Sequence, residues 1–169
     1  MGHLYTVGHS TRTLEEFIEL LREHNVHILV DVRRWPSSSR CQHFIRESLA
    51  QSLEKHGIKY EWLGERLGGF REKGLGEKSP NKAWRSRGFR NYADYAMTVE
   101  FREGVVRLLK LGNDGNLALM CAEQLYHRCH RRIISDYLKV KGYAITHILA
   151  YGKTKEHELT SFAEAIGGE

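Results

Sequence analysis

The chain has 169 residues, 41% of them hydrophobic and 28% charged, with a formal net charge of +5. That length supports one domain with its own core, without help from disulfides or metals. No run of about 18 apolar residues is present, which excludes a membrane-spanning helix, and the basic balance favours anionic partners.

The first strand is expected at Leu4–Val7. The sequence enters it with no basic-then-apolar leader, so no secretory signal is expected. Thr13 and Glu16 form a capping-box pair ahead of Leu14, Phe17, Ile18 and Leu21 at helical spacing. His27–Asp31 reads as a buried strand. A loop through Trp35-Pro36-Ser37-Ser38-Ser39 leads to a helix with Ile45, Leu49 and Leu53 on one face, ended by Gly57. Ile58–Trp62 is the third strand.

The stretch from about Gly64 to Arg90 then breaks the rhythm. It carries eight basic against three acidic residues, an excess equal to that of the whole chain. Tyr92 and Tyr95 open a helical region, and Thr98 caps a second helix carrying Phe101, Val105, Leu108 and Leu109. Asn116–Cys121 is the fourth strand. A helix with Ile133, Ile134, Tyr137 and Leu138 follows, Gly142 closes it, and Tyr143–Ile148 is the fifth strand. A short helix is expected from Glu156 to Ile166. Strands alternating with helices predict an α/β fold over residues 1–169: a single domain with a mostly parallel five-stranded sheet and helices on both faces. It is Rossmann-like, but without a dinucleotide fingerprint or Walker sequence, and with a basic loop insertion at about 64–90.

Ligands of open α/β sheets bind beyond the carboxyl ends of the strands. That edge collects Gly8-His9-Ser10, Asp31-Val32-Arg33-Arg34, Cys121-Ala122-Glu123 and the Cys129-His130-Arg131-Arg132 run that opens a helix. A helix amino terminus holds anions and lowers thiol pKa values, and arginine forks suit phosphate or carboxylate. On this reading His9, Ser10, Arg33 and Arg131 bind an anion. Asp31, Glu123 or His130 moves protons, and Cys121 or Cys129 is the nucleophile. The plainer alternatives are a solvated basic helix start, Cys121 as a small core residue, and Asp31 paired with an arginine.

A thiolate-and-arginine phosphatase loop fits badly. Six residues separate Cys121 from Arg128, one more than that loop uses, and its glycines are missing. No metal site is expected. Cys121, Cys129 and His130, with Cys41 or His43, offer zinc ligands as a minor alternative, but adjacent ligands at Cys129-His130 suit a tetrahedral site poorly. A reversible Cys121–Cys129 disulfide is a further alternative. Three cysteines cannot build a disulfide framework, so a reducing cytoplasm is the expected compartment. The cations interleaved with Phe70, Trp84 and Phe89 suit a nucleic-acid strand, the alternative being an aromatic-anchored surface loop.

Several segments resemble the family of domain of unknown function 488. They are Thr6-Val7-Gly8-His9-Ser10, Leu29-Val30-Asp31-Val32-Arg33 with Pro36, Tyr92-Ala93-Asp94-Tyr95, and Ala118–Glu123 with Cys129-His130-Arg131. The resemblance implies a small α/β domain and assigns no activity. Two departures from the family pattern are Cys41, where a polar residue is expected, and the longer 64–90 stretch.

Three functions compete on this sequence. The first is an enzyme acting on nucleic acid or a nucleotide-like phosphate compound, with no cofactor. The second is a non-catalytic nucleic-acid-binding module. The third is a cysteine-based redox or alkylation sensor.

Overall fold

The computed structural model describes residues 1–162. Six strands form one sheet: β1 (Leu4–Gly8), β2 (Ile28–Asp31), β3 (Lys59–Trp62), β4 (Leu117–Cys121), β5 (Ile145–Ala150) and β6 (Lys153–Glu156). Their order is β3-β2-β4-β1-β5-β6, all neighbours parallel except the β5–β6 pair. The expected five-stranded sheet therefore has a sixth, antiparallel strand. Its sequence, Lys-Thr-Lys-Glu, is exposed along its whole length and carries no apolar alternation to announce it. Glu156 ends this strand rather than starting a helix, and residues 163–166 of the expected final helix lie outside the described residues.

Helices cover both faces, as the alternating pattern predicts. Helix α1 (Leu14–Glu23) begins in the expected capping box, with Thr13 Oγ1 accepting from Glu16 N–H and Glu16 Oε1 accepting from Thr13 N–H. Its Phe17, Ile18, Leu20 and Leu21 join Leu49 and Leu53 of α2 (Arg46–Glu54) against Val7, Leu29, Ala118 and Met120 of the sheet. The other face packs beneath α4 (Arg87–Tyr95), α5 (Val99–Gly112) and α6 (Arg131–Val140), on Leu4, Val30, Leu119 and Cys121. Burial of two apolar layers on one sheet is the main stabilising term of such a fold.

The 64–90 stretch is more structured than a loop. It holds the short helix α3 (Gly64–Leu67), a 3₁₀ turn at Gly76–Lys78 and the first turn of α4. The helical region accordingly starts at Arg87, with Ser86 capping it, and Tyr95 closes it rather than opening it. Polar side chains of α4 tie the stretch down. Asp94 accepts from Leu75 N–H, Ser79 Oγ and Asn81 Nδ2, and Asn91 Nδ2 donates to the Arg71 and Glu72 carbonyls. Among the described residues no helix is long and apolar enough to cross a membrane.

Candidate functional site

Strand β4 lies between β2 and β1, and its register sets Gly8 beside Cys121 and Asp31 beside Met120. The chain leaving β1 and β2 turns to the α1–α2 face, while the chain leaving β4 turns to the α6 face. This divergence is a topological switch point, where α/β sheets open a crevice. The predicted residues do converge on this edge. They divide, however, into two clusters on opposite faces.

The α6 side holds the sulfur atoms. Cys121 Sγ and Cys129 Sγ lie 2.7 Å apart as free thiols, and both residues are buried. Cys129 Sγ is also 3.4 Å from His130 Nδ1 and accepts from the Arg131 backbone N–H at the start of α6. His130 Nε2 donates to the Val32 carbonyl at 3.0 Å, which leaves Nδ1 facing Cys129 Sγ, placed to take its proton and then donate back to the sulfur. Burial alone would raise the Cys129 thiol. The hydrogen bond from Cys121, together with His130 and Arg131, outweighs burial and holds Cys129 well below the usual thiol range. Burial and that same hydrogen bond push Cys121 well above the range. Cys129 is therefore the member of the pair that would carry a negative charge, with the Cys121 S–H placed to donate to it.

Arg131 balances that charge from inside the protein. It is 1% exposed, donates through Nη1 to Thr6 Oγ1 and through Nη2 to the Glu123 carbonyl, and its Nε has no hydrogen-bond partner among the described residues. Burial works against its charge, but the two sulfurs more than compensate. A buried chain fixes its position: Thr6 Oγ1 donates to His147 Nδ1 at 2.6 Å, His147 Nε2 to His157 Nδ1 at 2.8 Å, and His157 Nε2 to Asp136 Oδ1 at 2.8 Å. The donor and acceptor roles run one way along the chain if both rings are neutral. Burial holds His147 down to about 3, and the Tyr126 ring stacks on it at 3.6 Å. Thr6, Asp136, His147 and His157 are functional-site neighbours that sequence reading does not bring together. Their separation along the chain left no local signal.

The α1–α2 side holds the other charges. Asp31 is fully buried, and Arg33 grips its carboxylate through Nε at 2.9 Å and Nη2 at 2.7 Å. Arg33 N–H and Tyr60 OH donate to the same carboxylate. Burial and this carboxylate push the Tyr60 hydroxyl upward. Arg33 Nη1 meets His9 Nε2 at 3.3 Å, while His9 Nδ1 donates to the Ser10 carbonyl and the ring stacks on Phe44. Burial, with Arg33 adding to it, brings His9 down to about 4. Asp31 thus pairs with an arginine and already accepts four hydrogen bonds.

Gly8-His9-Ser10 takes its shape from the neighbouring chain. The His9 and Ser10 N–H groups donate to the Cys121 and Ala122 carbonyls, and a Cβ on Gly8 would sit 2.0 Å from the Glu123 carbonyl oxygen. Glycine therefore stands where two backbones touch, and both N–H groups are engaged. Glu123 faces the site with its carbonyl, which accepts from Arg131. Its carboxylate accepts from Leu125 N–H on an exposed loop.

The three aromatics of the basic stretch separate in the same way. Trp84 is buried, and Phe89 packs against the core at 5.5 Å from it, so both anchor the stretch. Phe70 is 76% exposed and faces Trp35, itself 60% exposed. Among the described residues no group of three or more His, Cys, Asp or Glu is arranged to hold a metal ion.

The fold and site define an α/β protein with a buried thiol pair beside a buried arginine at the switch point of its sheet. The chain belongs to the family described as domain of unknown function DUF488, whose model matches residues 13–138. That span includes Asp31, Arg33, Cys121, Glu123 and Cys129–Arg131, and leaves out His9, Ser10, His147 and His157. No curated protein and no solved structure matches the chain.

Proposed function

We propose that the protein is a thiol-dependent enzyme of the reducing cytoplasm that acts on a nucleotide-like phosphate compound or nucleic acid. The Cys129 environment carries this reading: one sulfur touched by the Cys121 thiol, His130 Nδ1 and the Arg131 N–H, with the Arg131 guanidinium as buried counter-charge. In this role His130 takes the proton of Cys129, and Cys121 and the α6 amino terminus stabilise the sulfur anion. The thiolate bonds to the substrate's electrophilic atom as the bond to its leaving group breaks, and protonated His130 returns the proton to that group. The net charge of +5 and its concentration in the 64–90 stretch support an anionic substrate.

The test is turnover and covalent capture. The wild-type chain, Cys129→Ser and Cys121→Ser are incubated with nucleotides and short oligonucleotides, then followed by product analysis and intact mass. The reading expects turnover, or an adduct on Cys129, that Cys129→Ser abolishes. Turnover surviving that substitution removes the nucleophile. Oligonucleotide binding with no turnover in any protein would leave a non-catalytic binding module.

The 2.7 Å approach of the two sulfurs favours a second reading, a reversible thiol sensor. The Cys129 thiolate attacks a peroxide oxygen, forming a sulfenic acid and releasing water once the leaving oxygen is protonated. The Cys121 thiol then displaces a second water and closes the disulfide. A loss of two mass units at Cys121–Cys129 on peroxide treatment, reversed by dithiothreitol, is the expected signature.

A further inference from the structure

Phe70 combines two unfavourable features. Its φ is +60°, a left-handed conformation that an aromatic side chain rarely adopts, and its ring is 76% exposed. Glycine holds the two preceding positions, Gly68 and Gly69, yet the strained position itself carries a phenyl ring. The ring is not alone. Trp35 lies 5.6 Å away, centroid to centroid, and is also mostly exposed. Arg34 joins the two loops, donating through Nη1 to the Phe70 carbonyl at 2.8 Å with its guanidinium 5.3 Å from the Trp35 ring. Arg71, next after Phe70, stacks on Tyr95 and donates to the Gly68 and Glu65 carbonyls, holding the second loop in place.

This aromatic pair adjoins the thiol site. A Cβ on Gly69 would lie 3.0 Å from His130 Nδ1, so the backbone just before Phe70 packs directly on the ring that faces Cys129. On the other loop, the Val32 carbonyl that receives His130 Nε2 is three residues before Trp35. Two exposed rings, each with an arginine beside it in the chain, therefore stand on loops whose backbones touch the His130 ring. No acidic residue occurs between Asp31 and Glu47.

We infer that Trp35 and Phe70 form a stacking platform for a nucleobase whose phosphate is met by Arg34 and the basic residues of these loops. Bases of any sequence stack on such rings while cations track the backbone. The inference rests on the proposed function for its substrate class and names the part of the surface that would recognise it. The base can come from a free nucleotide or from a single strand, and the test separates these sources.

Three probes are titrated at two salt concentrations: a nucleoside monophosphate, a single-stranded hexanucleotide, and inorganic polyphosphate as an anion without rings. Affinity is read by titration calorimetry for the wild-type chain, Phe70→Gly and Trp35→Ala, with tryptophan quenching as a second signal wherever Trp35 is present. Phe70→Gly keeps the backbone conformation without strain, and thermal melting confirms that each variant is folded. The expected result is quenching by the base-containing probes but not by polyphosphate. Affinity should fall about tenfold in Phe70→Gly and at least as far in Trp35→Ala, in line with the loss of one stacked base. Binding of the monophosphate alone assigns a free nucleotide, and tighter, more salt-sensitive binding of the hexanucleotide assigns a strand. Equal binding of polyphosphate, unchanged affinity in both ring variants, or no binding of either base-containing probe overturns the platform. Turnover and covalent capture by the wild-type chain are read separately from affinity, so failure of the thiol chemistry and failure of the platform remain distinguishable.

Discussion

The two clusters at the carboxyl edge of the sheet contain similar residue types and behave in opposite ways. Asp31, Arg33, Tyr60 and His9 form a closed set: the carboxylate is gripped by a two-pronged guanidinium, and the histidine is kept neutral. Cys121, Cys129, His130 and Arg131 form a set of uneven acidity. One thiol is driven down, the other up, and a buried guanidinium keeps an Nε without a partner among the described residues. The comparison teaches that ionisable residues at a strand end are not a site in themselves. What separates the two clusters is whether one nucleophile is left more acidic than its neighbour.

The contrast is open to being broken by substitution. The largest effect is expected for Arg131→Met, which leaves the sulfur anion buried without its cation. Stability should fall by about 3–5 kcal/mol, as when one partner of a buried pair is removed. Alkylation of Cys129 by iodoacetamide at pH 6 should fall at the same time by roughly tenfold or more, about one pKa unit or beyond. Asp31→Ala should cost a similar ~3–5 kcal/mol in urea unfolding by stranding Arg33, yet leave the alkylation rate of Cys129 unchanged. Comparable slowing in both variants would mean that the two clusters are one site.

Acid should act on both clusters through their buried histidines, His9 and His147. The folded pKa of His9 is about 4, below its unfolded value of about 6.5, so the unfolded chain binds the extra proton. The stability associated with neutral His9 is complete above pH 6.5 and declines as pH falls toward 4. His147, at about 3, extends the decline. Melting temperature measured from pH 7 to 4 should therefore drop, and His9→Phe should flatten the slope between pH 6.5 and 4. An unchanged slope in that variant would place the acid sensitivity elsewhere.

The smallest effect is expected at Phe70. Relief of the left-handed strain, about 1–2 kcal/mol, is offset by the backbone entropy of glycine, about 0.5–1 kcal/mol. Chemical denaturation of Phe70→Gly should shift by no more than about 1 kcal/mol. A large loss would make Phe70 a structural residue.

Much of the fold was legible because its signals are local. The Thr13/Glu16 capping box, the Thr98 cap and the buried runs of β2 and β4 are written in neighbouring residues. Strand β6 was not legible, since an exposed edge strand of Lys-Thr-Lys-Glu has no apolar period. Of the site, the strand-end positions of His9, Asp31, Arg33, Cys121 and Cys129 could be read. Their division between two faces could not, because it depends on β4 inserting between β2 and β1. The Arg131–Thr6–His147–His157–Asp136 chain joins residues from four distant segments, so no window of sequence contains it. The aromatic content of the 64–90 stretch was visible, but only burial separates the anchor Trp84 from the displayed Phe70.

The most direct measurement is the pH dependence of iodoacetamide modification at each cysteine, resolved by mass spectrometry, with Cys41 and Cys121 as internal references. Cys129 should be modified with a midpoint well below the usual thiol value of about 8.5, while Cys121 stays unmodified until well above it. A Cys129 midpoint at or above that of Cys41 would contradict a charge-balanced thiolate and reduce the pair to two buried core cysteines.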